Sequence, residues 1–247
     1  MIRARPDGRR GRLDLLHAEP DIVVVNKPAG LLTLPSAPGR AEHEDSLLAR
    51  ARTYARHKRG RRAYAGLLHR LDRGTSGALA IALSPEVHAA GRLLFKHHAF
   101  ERVYLAVVTG SPAADEGSID APITSEYRDG RRRLASGRDA ALPARTHYRV
   151  RERFGQRAAL LEVTLDTGRQ HQIRIHLGSI GHPVMGGRVY GPAASRGDPI
   201  DRPLLHAWRL AFPHPLTGAS IAVTAPVPPD FERALRRLRK TAGEWSD

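Results

Sequence analysis

The stretch Leu68-His69-Arg70-Leu71-Asp72-Arg73-Gly74-Thr75-Ser76-Gly77 brings a carboxylate to the end of an apolar run, just before a tight turn. Alternation along residues 66–72 predicts a strand with Arg70 and Asp72 on one face, and residues 78–83 predict a second strand after the turn. Taken alone, this pattern favours a hairpin whose aspartate caps its own turn. The role of Asp72 therefore depends on the rest of the chain.

Four further blocks follow one another along the chain. They are Val24-Val25-Asn26-Lys27-Pro28-Ala29-Gly30-Leu31, Arg102-Val103-Tyr104-Leu105-Ala106, Thr167-Gly168-Arg169-Gln170-His171-Gln172-Ile173-Arg174-Ile175-His176 and Leu204-Leu205-His206-Ala207. Together with the first stretch they resemble the RluA-type RNA pseudouridine synthases, whose signature is His-Arg-Leu-Asp-x-x-Thr-Ser-Gly. The resemblance spans residues 24–207, which is nearly the whole chain.

The resemblance implies an enzyme that isomerises uridine to pseudouridine in tRNA, in large-subunit ribosomal RNA or in both, without a cofactor. It implies an α+β fold in which a mixed, largely antiparallel central sheet with flanking helices bears an active-site cleft. Asp72 is expected to be the catalytic carboxylate, Tyr104 to stack on the uracil, and Arg174 to pair with Asp72. A non-catalytic RNA-binding or ribosome-assembly factor on the same scaffold is the alternative.

The reaction breaks the bond between N1 of uracil and C1′ of ribose, turns the base and rejoins it through C5. One carboxylate is sufficient in principle. It could attack C1′, add to the base or abstract the C2′ proton, and the sequence leaves these routes open. We expect no metal, because His171 and His176 are about 140° apart on a helix and no His-Glu-x-x-His pattern is present.

Five residues are expected to contact RNA, namely Arg70, Thr75, Arg169, His171 and Gln172. A stacked uridine cannot react, so the enzyme must flip the target base out of its helix. The planar guanidinium of Arg70 is suited to fill the gap, although it could equally pair with Asp72 across their strand. The last three residues are predicted to open a helix whose N-terminal dipole favours phosphate.

Composition agrees with an RNA partner. Forty Lys and Arg residues against 25 Asp and Glu give a net charge of +15, which fits RNA, DNA or an anionic membrane surface. A basic cluster just upstream of the Asp72 stretch consists of Arg56, Lys58, Arg59, Arg61 and Arg62. The turn lysine Lys27 could reach a phosphate, although a solvated lysine is the ordinary interpretation. The absence of cysteine excludes disulfides and thiolate nucleophiles.

The chain is predicted to consist of a basic flexible arm (1–12), a single catalytic domain (13–241) and a tail (242–247). Helices are predicted over 43–57 and 85–97. The Gly-, Pro- and Arg-rich residues 110–145 are expected to be a flexible excursion that grips RNA. No apolar run approaches the roughly 20 residues of a membrane span and no secretory signal is evident, so a cytoplasmic protein is expected. The protein is also expected to be a monomer without an obligate protein partner.

Overall fold

The computed structural model describes residues 12–36, 44–126, 132–137, 139–186, 189–190 and 202–243. They form two compact units: unit 1 takes the residues up to 102 together with 207–226, and unit 2 takes 103–206 together with the residues from 227 onward. The single catalytic domain over 13–241 stays a prediction. Residues 1–11 of the predicted arm and residues 244–247 of the predicted tail lie outside the described part of the chain.

The described residues form twelve strands and four helices. The strands are β1 (Leu15–Ala18), β2 (Ile22–Lys27), β3 (Gly66–Leu67), β4 (Ser76–Ala82), β5 (Glu101–Thr109), β6 (Glu116–Asp120), β7 (Ile123–Thr124), β8 (Ala141–Leu142), β9 (Arg145–Phe154), β10 (Ala158–Leu165), β11 (Leu205–Pro213) and β12 (Ser220–Thr224). The helices are α1 (Leu47–Arg59), α2 (Pro85–Lys96), α3 (Gln172–Ser179) and α4 (Pro229–Gly243).

Unit 1 is built on strands whose apolar residues run without alternation. Residues 22–25 of β2 are fully buried, and every residue of β4 is buried. Such continuous runs are typical of strands that are covered on both faces. β2 pairs antiparallel with β1 on one side and with β4 on the other, and β4 also neighbours β11. These pairings make β4, which follows Asp72 directly, a central strand of unit 1.

In unit 1 helices α1 and α2 each begin after a serine whose side chain caps the helix. The Ser46 hydroxyl accepts a hydrogen bond from the N–H of Ala49 at the start of α1. Ser84 does the same for the N–H of Val87 at the start of α2, where Pro85 occupies the first turn. Both helices were predicted, at 43–57 and 85–97, and both are confirmed within a few residues.

Unit 2 contains four antiparallel strands in the order β5, β10, β9, β6. Charged residues of β9 alternate with less exposed ones, so one face of this strand is polar. Helix α3 follows His171, whose backbone is in the left-handed region with φ of 59°. Helix α4 buries Phe231 and keeps its arginines largely exposed.

The predicted α+β class with largely antiparallel pairing is confirmed, but two local predictions are wrong. The strand predicted over 66–72 ends at Leu67 as β3, and the residues after it form a loop. The predicted excursion 110–145 contains β6, β7 and β8 among its described residues, because Ile119 and Ile123 are buried there. Nowhere in the described part of the chain is a helix both long and apolar enough to cross a membrane.

Candidate active site

Asp72 lies in the loop that joins β3 to β4. Its side chain is half-buried. Its carbonyl oxygen accepts a 3.0 Å hydrogen bond from the N–H of Thr75, which closes a turn immediately before β4 begins at Ser76. The carboxylate is therefore carried by a short turn at the start of a buried strand, whereas alternation predicts a strand with Arg70 and Asp72 on one face.

Thr33 holds the main chain immediately before Asp72. Its hydroxyl donates a 2.5 Å hydrogen bond to the carbonyl oxygen of Leu71 and accepts a longer one, 3.4 Å, from the N–H of the same residue. Thr33 and Leu71 are both buried, so solvent is a poor substitute partner for these groups. One side chain thus serves both main-chain polar groups of Leu71. No motif or spacing in the sequence indicates this contact, which joins residues 38 positions apart.

Lys27 helps to hold the main chain immediately after Asp72. Its ammonium group donates to three carbonyl oxygens, those of Leu31 (2.7 Å), Pro28 (3.0 Å) and Arg73 (3.3 Å). The whole residue is inaccessible to solvent. A buried ammonium requires several acceptors, and the turn that begins at Pro28 supplies two of them. Both interpretations of Lys27 from the sequence, a phosphate ligand and a solvated lysine, are therefore wrong.

A second pair of contacts fixes the same side of the loop. The N–H of Gly30 donates to the carbonyl oxygen of Arg73 at 2.7 Å, and Nε of Arg73 donates to the carbonyl oxygen of Gly30 at 3.0 Å. Gly30 has a φ of 90°, in the region that favours glycine. Residues on both sides of Asp72 are thus fastened to the segment 27–33, the continuation of β2.

His69 is buried three positions before Asp72, where its ring stacks on Phe95 with centroids 5.7 Å apart and planes 8° from parallel. Its Nε2 accepts a 3.1 Å hydrogen bond from the N–H of Ala80 in β4. Burial, and secondly the charge of Arg102, lower the pKa of His69 to about 3. The ring is consequently neutral at physiological pH and serves as a structural acceptor for β4.

The two predicted RNA contacts of this loop differ in exposure. Arg70 is exposed and forms no ion pair with the residues that the structure describes, so its guanidinium is accessible to RNA. Thr75 is only 2% exposed, and its hydroxyl has no hydrogen-bond partner among the described residues. Since the region after Leu67 is a loop, Arg70 does not pair with Asp72 across a strand. Contact of Arg70 and Thr75 with RNA stays a prediction.

Tyr104 and Arg174 belong to unit 2. Tyr104 lies in β5 opposite Val163 and is 7% exposed. Arg174, in α3, is also 7% exposed, and the carbon of its guanidinium lies 4.9 Å from the ring centroid of Tyr190. Tyr190 had not been singled out from the sequence, because it lies outside the motif blocks. The predicted stacking of Tyr104 on uracil and the predicted pairing of Arg174 with Asp72 stay predictions.

Gln172, predicted to contact RNA, is buried at the start of α3. Its amide oxygen accepts hydrogen bonds from the hydroxyl of Thr167 (2.8 Å) and the N–H of Arg169 (2.9 Å). Its amide NH₂ donates to the carbonyl oxygen of Arg145 (2.9 Å) and the hydroxyl of Thr146 (3.1 Å). All four hydrogen-bonding positions of this amide are used within the chain, and contact of Gln172 with RNA stays a prediction. Its amide fastens α3 to β9.

Arg169 and His171 precede α3 and are half-buried. Nε of Arg169 donates to the carbonyl oxygen of Pro143 at 3.0 Å, and Nδ1 of His171 is 2.7 Å from the hydroxyl of Tyr190. The helix predicted to open with these residues starts only at Gln172. Their contact with RNA stays a prediction.

Glu19, Asp21 and His214 place one potential metal-ligand atom each within 4.8 Å of one another. Nδ1 of His214, however, accepts hydrogen bonds from the main-chain N–H groups of Leu216 and Thr217. The proton of the neutral ring is therefore on Nε2, which lies 3.2 Å from Asp21 and donates to its carboxylate. A protonated ring nitrogen does not bind a metal, so Nε2 of His214 is engaged by Asp21, and the carboxylate of Glu19 lies further away, at 3.7 Å.

Comparison with known proteins places these features in one family. The family described as RNA pseudouridylate synthase matches residues 21–179, from β2 to the end of α3. An uncharacterized RNA pseudouridine synthase of Chloroflexus aurantiacus is 43% identical over 88% of this chain and 66% of its own length. The ribosomal large subunit pseudouridine synthase D of Xanthomonas campestris is 36% identical over 95% of this chain and 72% of its own.

The chain thus spans about two thirds to three quarters of the length of these relatives. Human RNA pseudouridylate synthase domain containing 4 has the same fold, with a TM-score of 0.75 over 92% of this chain and 93% of that one at 24% identity. Sequence and fold agree, and the chain belongs to the RNA pseudouridylate synthase family.

Proposed function

We propose that the chain isomerises uridine to pseudouridine in RNA with Asp72 as the catalytic carboxylate. The observation that carries the proposal is the anchoring of Asp72 on both sides. Thr33 binds Leu71 before it, and Lys27 and Gly30 bind Arg73 after it. A carboxylate whose main chain is fixed in this way loses little conformational freedom when it meets a substrate, which is the condition for efficient catalysis by a single group.

In the proposed reaction the N1–C1′ bond breaks, the uracil turns, and a C5–C1′ bond forms while the C5 hydrogen is lost as a proton and N1 gains one. Atoms and electrons balance without a cofactor. Asp72 supplies the carboxylate that attack at C1′, addition to the base or abstraction at C2′ would each require. Tyr104 stacks on the base, Arg174 pairs with the carboxylate, and the exposed Arg70 fills the place of the flipped nucleotide.

The test compares wild type with Asp72→Asn on transcribed tRNA and on fragments of large-subunit ribosomal RNA. Pseudouridine is quantified by digestion and chromatography, and the mass of the intact RNA is checked for loss of uracil. We expect pseudouridine with wild type and none with Asp72→Asn. Glu86→Gln, which neutralises an exposed carboxylate in the first turn of α2, is the matched control and should have wild-type activity.

Equal activity of wild type and Asp72→Asn would refute the assignment of Asp72. If the wild type binds RNA but is inactive on every RNA tried, the non-catalytic RNA-binding factor is favoured instead. Released uracil or cut strands would indicate a nucleosidase or a nuclease.

The substrate is proposed to be tRNA, large-subunit ribosomal RNA or both, and the Xanthomonas campestris relative, a ribosomal large subunit pseudouridine synthase D by name, supports the ribosomal candidate. We place the reaction in the cytoplasm and propose a monomer that needs no protein partner. Mapping of pseudouridines in RNA from cells that lack the gene would identify the target. Light scattering of the purified protein would test the monomer.

A further inference from the structure

A second cationic feature of unit 1 lies on α1 and in the turn that follows it. No Asp or Glu occurs between Asp45 and Asp72, a segment that contains eight Lys and Arg residues. Six of the eight have exposed side chains on this helix and turn. Arg59 donates to main-chain carbonyl oxygens, and we call the other five the α1 basic surface: Arg52, Arg56, Lys58, Arg61 and Arg62. Within the described residues, none of the five forms an ion pair with an acidic side chain.

Strand β9 is equally rich in arginine, but its charges are neutralised locally. Four of its arginines lie within salt-bridge distance of a carboxylate: Arg145 with Asp120 (2.5 Å), Arg149 with Glu116 (3.5 Å), Arg151 with Glu162 (3.3 Å) and Arg153 with Asp115 (2.6 Å). Arg50 at the start of α1 is also paired, with Asp45 at 2.6 Å. Local charge balance therefore distinguishes the α1 basic surface from these other arginines.

Helix α1 is fixed at both ends, so its charges have defined positions. At its start, the N–H groups of Leu47 and Leu48 donate to the carbonyl oxygens of Leu32 (2.8 Å) and Thr33 (3.2 Å). At its end, the guanidinium of Arg59 donates to the carbonyl oxygen of Leu83 at 3.0 Å and also to that of Pro20. Because binding need not order the helix first, less free energy is lost when a polyanion docks.

The first of these anchors also relates the surface to Asp72. Thr33, which receives the N-terminal turn of α1, is the residue that binds Leu71 beside Asp72. Thirteen residues of α-helix are about 20 Å long, and the α1 basic surface extends from Arg52, near the middle of α1, to the turn beyond the end that is remote from this anchor. A phosphate on this surface therefore lies several nucleotides away from a uridine at Asp72.

We propose that the α1 basic surface binds the phosphate backbone of the RNA helix that flanks the target uridine. This inference rests on the proposed function, because the flanking position is defined relative to a uridine at Asp72. Exposed cations without an exposed Phe, Tyr or Trp among residues 46–62 fit backbone contact, which positions RNA without reading its sequence. The surface would thus fix the register of the substrate, while Arg70 and its neighbours act at the target base.

The test uses the full chain with Arg52, Arg56 and Lys58 changed together to Gln, which preserves helix propensity. The control changes three exposed but ion-paired residues, Arg149, Arg151 and Arg236, to Gln. Each triple variant lowers the net charge from +15 to +12. Circular dichroism establishes that both variants are folded before RNA binding is measured between 0.05 and 0.2 M salt.

For the α1 variant we expect the slope of log K against log salt to fall in magnitude by about 3, one for each lost phosphate contact. Across that salt range its affinity should vary about 50-fold less than that of wild type. The control should change the slope by less than 1. On an RNA with a long stem, the control should have the KM of wild type, whereas the KM of the α1 variant should rise. On a minimal stem-loop, the two variants should have equal KM values.

Equal slopes for the α1 variant and the control would overturn the inference, as would an equal rise in KM on both RNAs. Sedimentation with phosphatidylserine vesicles tests a membrane surface instead, and loss of vesicle binding with RNA binding intact would also overturn it. The salt slope requires no turnover. An inactive wild type with the expected slopes would therefore refute the proposed reaction and leave the RNA surface standing.

Discussion

The hydroxyl of Thr33 provides the sharpest test of how the Asp72 loop is held. Thr33→Val keeps the shape of the side chain and removes both hydrogen bonds to Leu71. The site is buried, so the carbonyl oxygen of Leu71 loses its 2.5 Å partner without full replacement by water. An unsatisfied buried acceptor costs about 1–3 kcal/mol, and the 3.4 Å bond from the N–H adds less because it is long. We expect a destabilisation of about 2 kcal/mol.

The same perturbation should reach the reaction. Without the anchor, the loop leaves its anchored position at a free-energy cost that is about 2 kcal/mol lower. If the relaxed loop then becomes the ground state, the activation barrier rises by up to that amount, and kcat falls by up to about 30-fold. KM should change less, because Thr33 is buried and does not meet the RNA. Urea unfolding measures the stability, and initial rates of pseudouridine formation measure kcat and KM separately.

Thr33→Ser is the matched control, because it retains the hydroxyl and loses only the methyl group. It should keep kcat within about threefold, corresponding to less than about 0.7 kcal/mol. If Thr33→Val turns over like wild type, the anchor does not position Asp72. If Ser and Val lower kcat equally, packing of the methyl group and not the hydroxyl is responsible.

Two further predictions concern buried polar residues of unit 1. Lys27→Met should lower the free energy of unfolding by at least about 3 kcal/mol, because three buried carbonyl oxygens lose a charged donor; a loss below about 1 kcal/mol by urea unfolding would contradict the assigned contacts. The pKa of His69 is about 3 in the folded chain against its ordinary value of 6.5, so the unfolded chain binds the extra proton between these values. The contribution of His69 to the free energy of unfolding should be complete above pH 6.5. It should fall on acidification and be about 2 kcal/mol lower at pH 5. His69→Gln should lack that component, and identical pH slopes in both proteins would refute it.

The motif blocks predicted the family, the enzyme class and the α+β fold, and all three are confirmed. Local patterns also predicted α1 and α2, because helical periodicity acts within a few residues. The prediction of a strand at Asp72 was wrong, because contacts distant in sequence determine the main chain there. Contacts from Thr33, Gly30 and Lys27 satisfy the main chain around Asp72, and these partners lie about 40 positions away in sequence.

Side-chain roles were harder to predict, since residue type fixes what a group can bond to but not where its partners are. Gln172 has the same amide whether it meets RNA or the protein, and only the structure shows its four internal hydrogen bonds. Lys27 was expected at the surface, because an ammonium group in the sequence does not show that carbonyl oxygens surround it in the fold. The net charge of +15 likewise does not tell paired arginines on β9 from unpaired ones on α1, which depends on strand register and helix packing.

The anchors of the Asp72 loop also determine what an Asp72→Asn experiment can establish. Thr33, Lys27 and Gly30 bind main-chain groups of the residues on either side and do not require the carboxylate. Asparagine has nearly the same shape and can accept the hydrogen bonds that an aspartate accepts in a turn. Asp72→Asn should therefore unfold within about 1 kcal/mol of wild type, within the range of changes that leave main-chain anchors intact. Loss of activity at unchanged stability would then report the chemistry of the carboxylate, whereas a large loss of stability would mean that the carboxylate itself holds the turn.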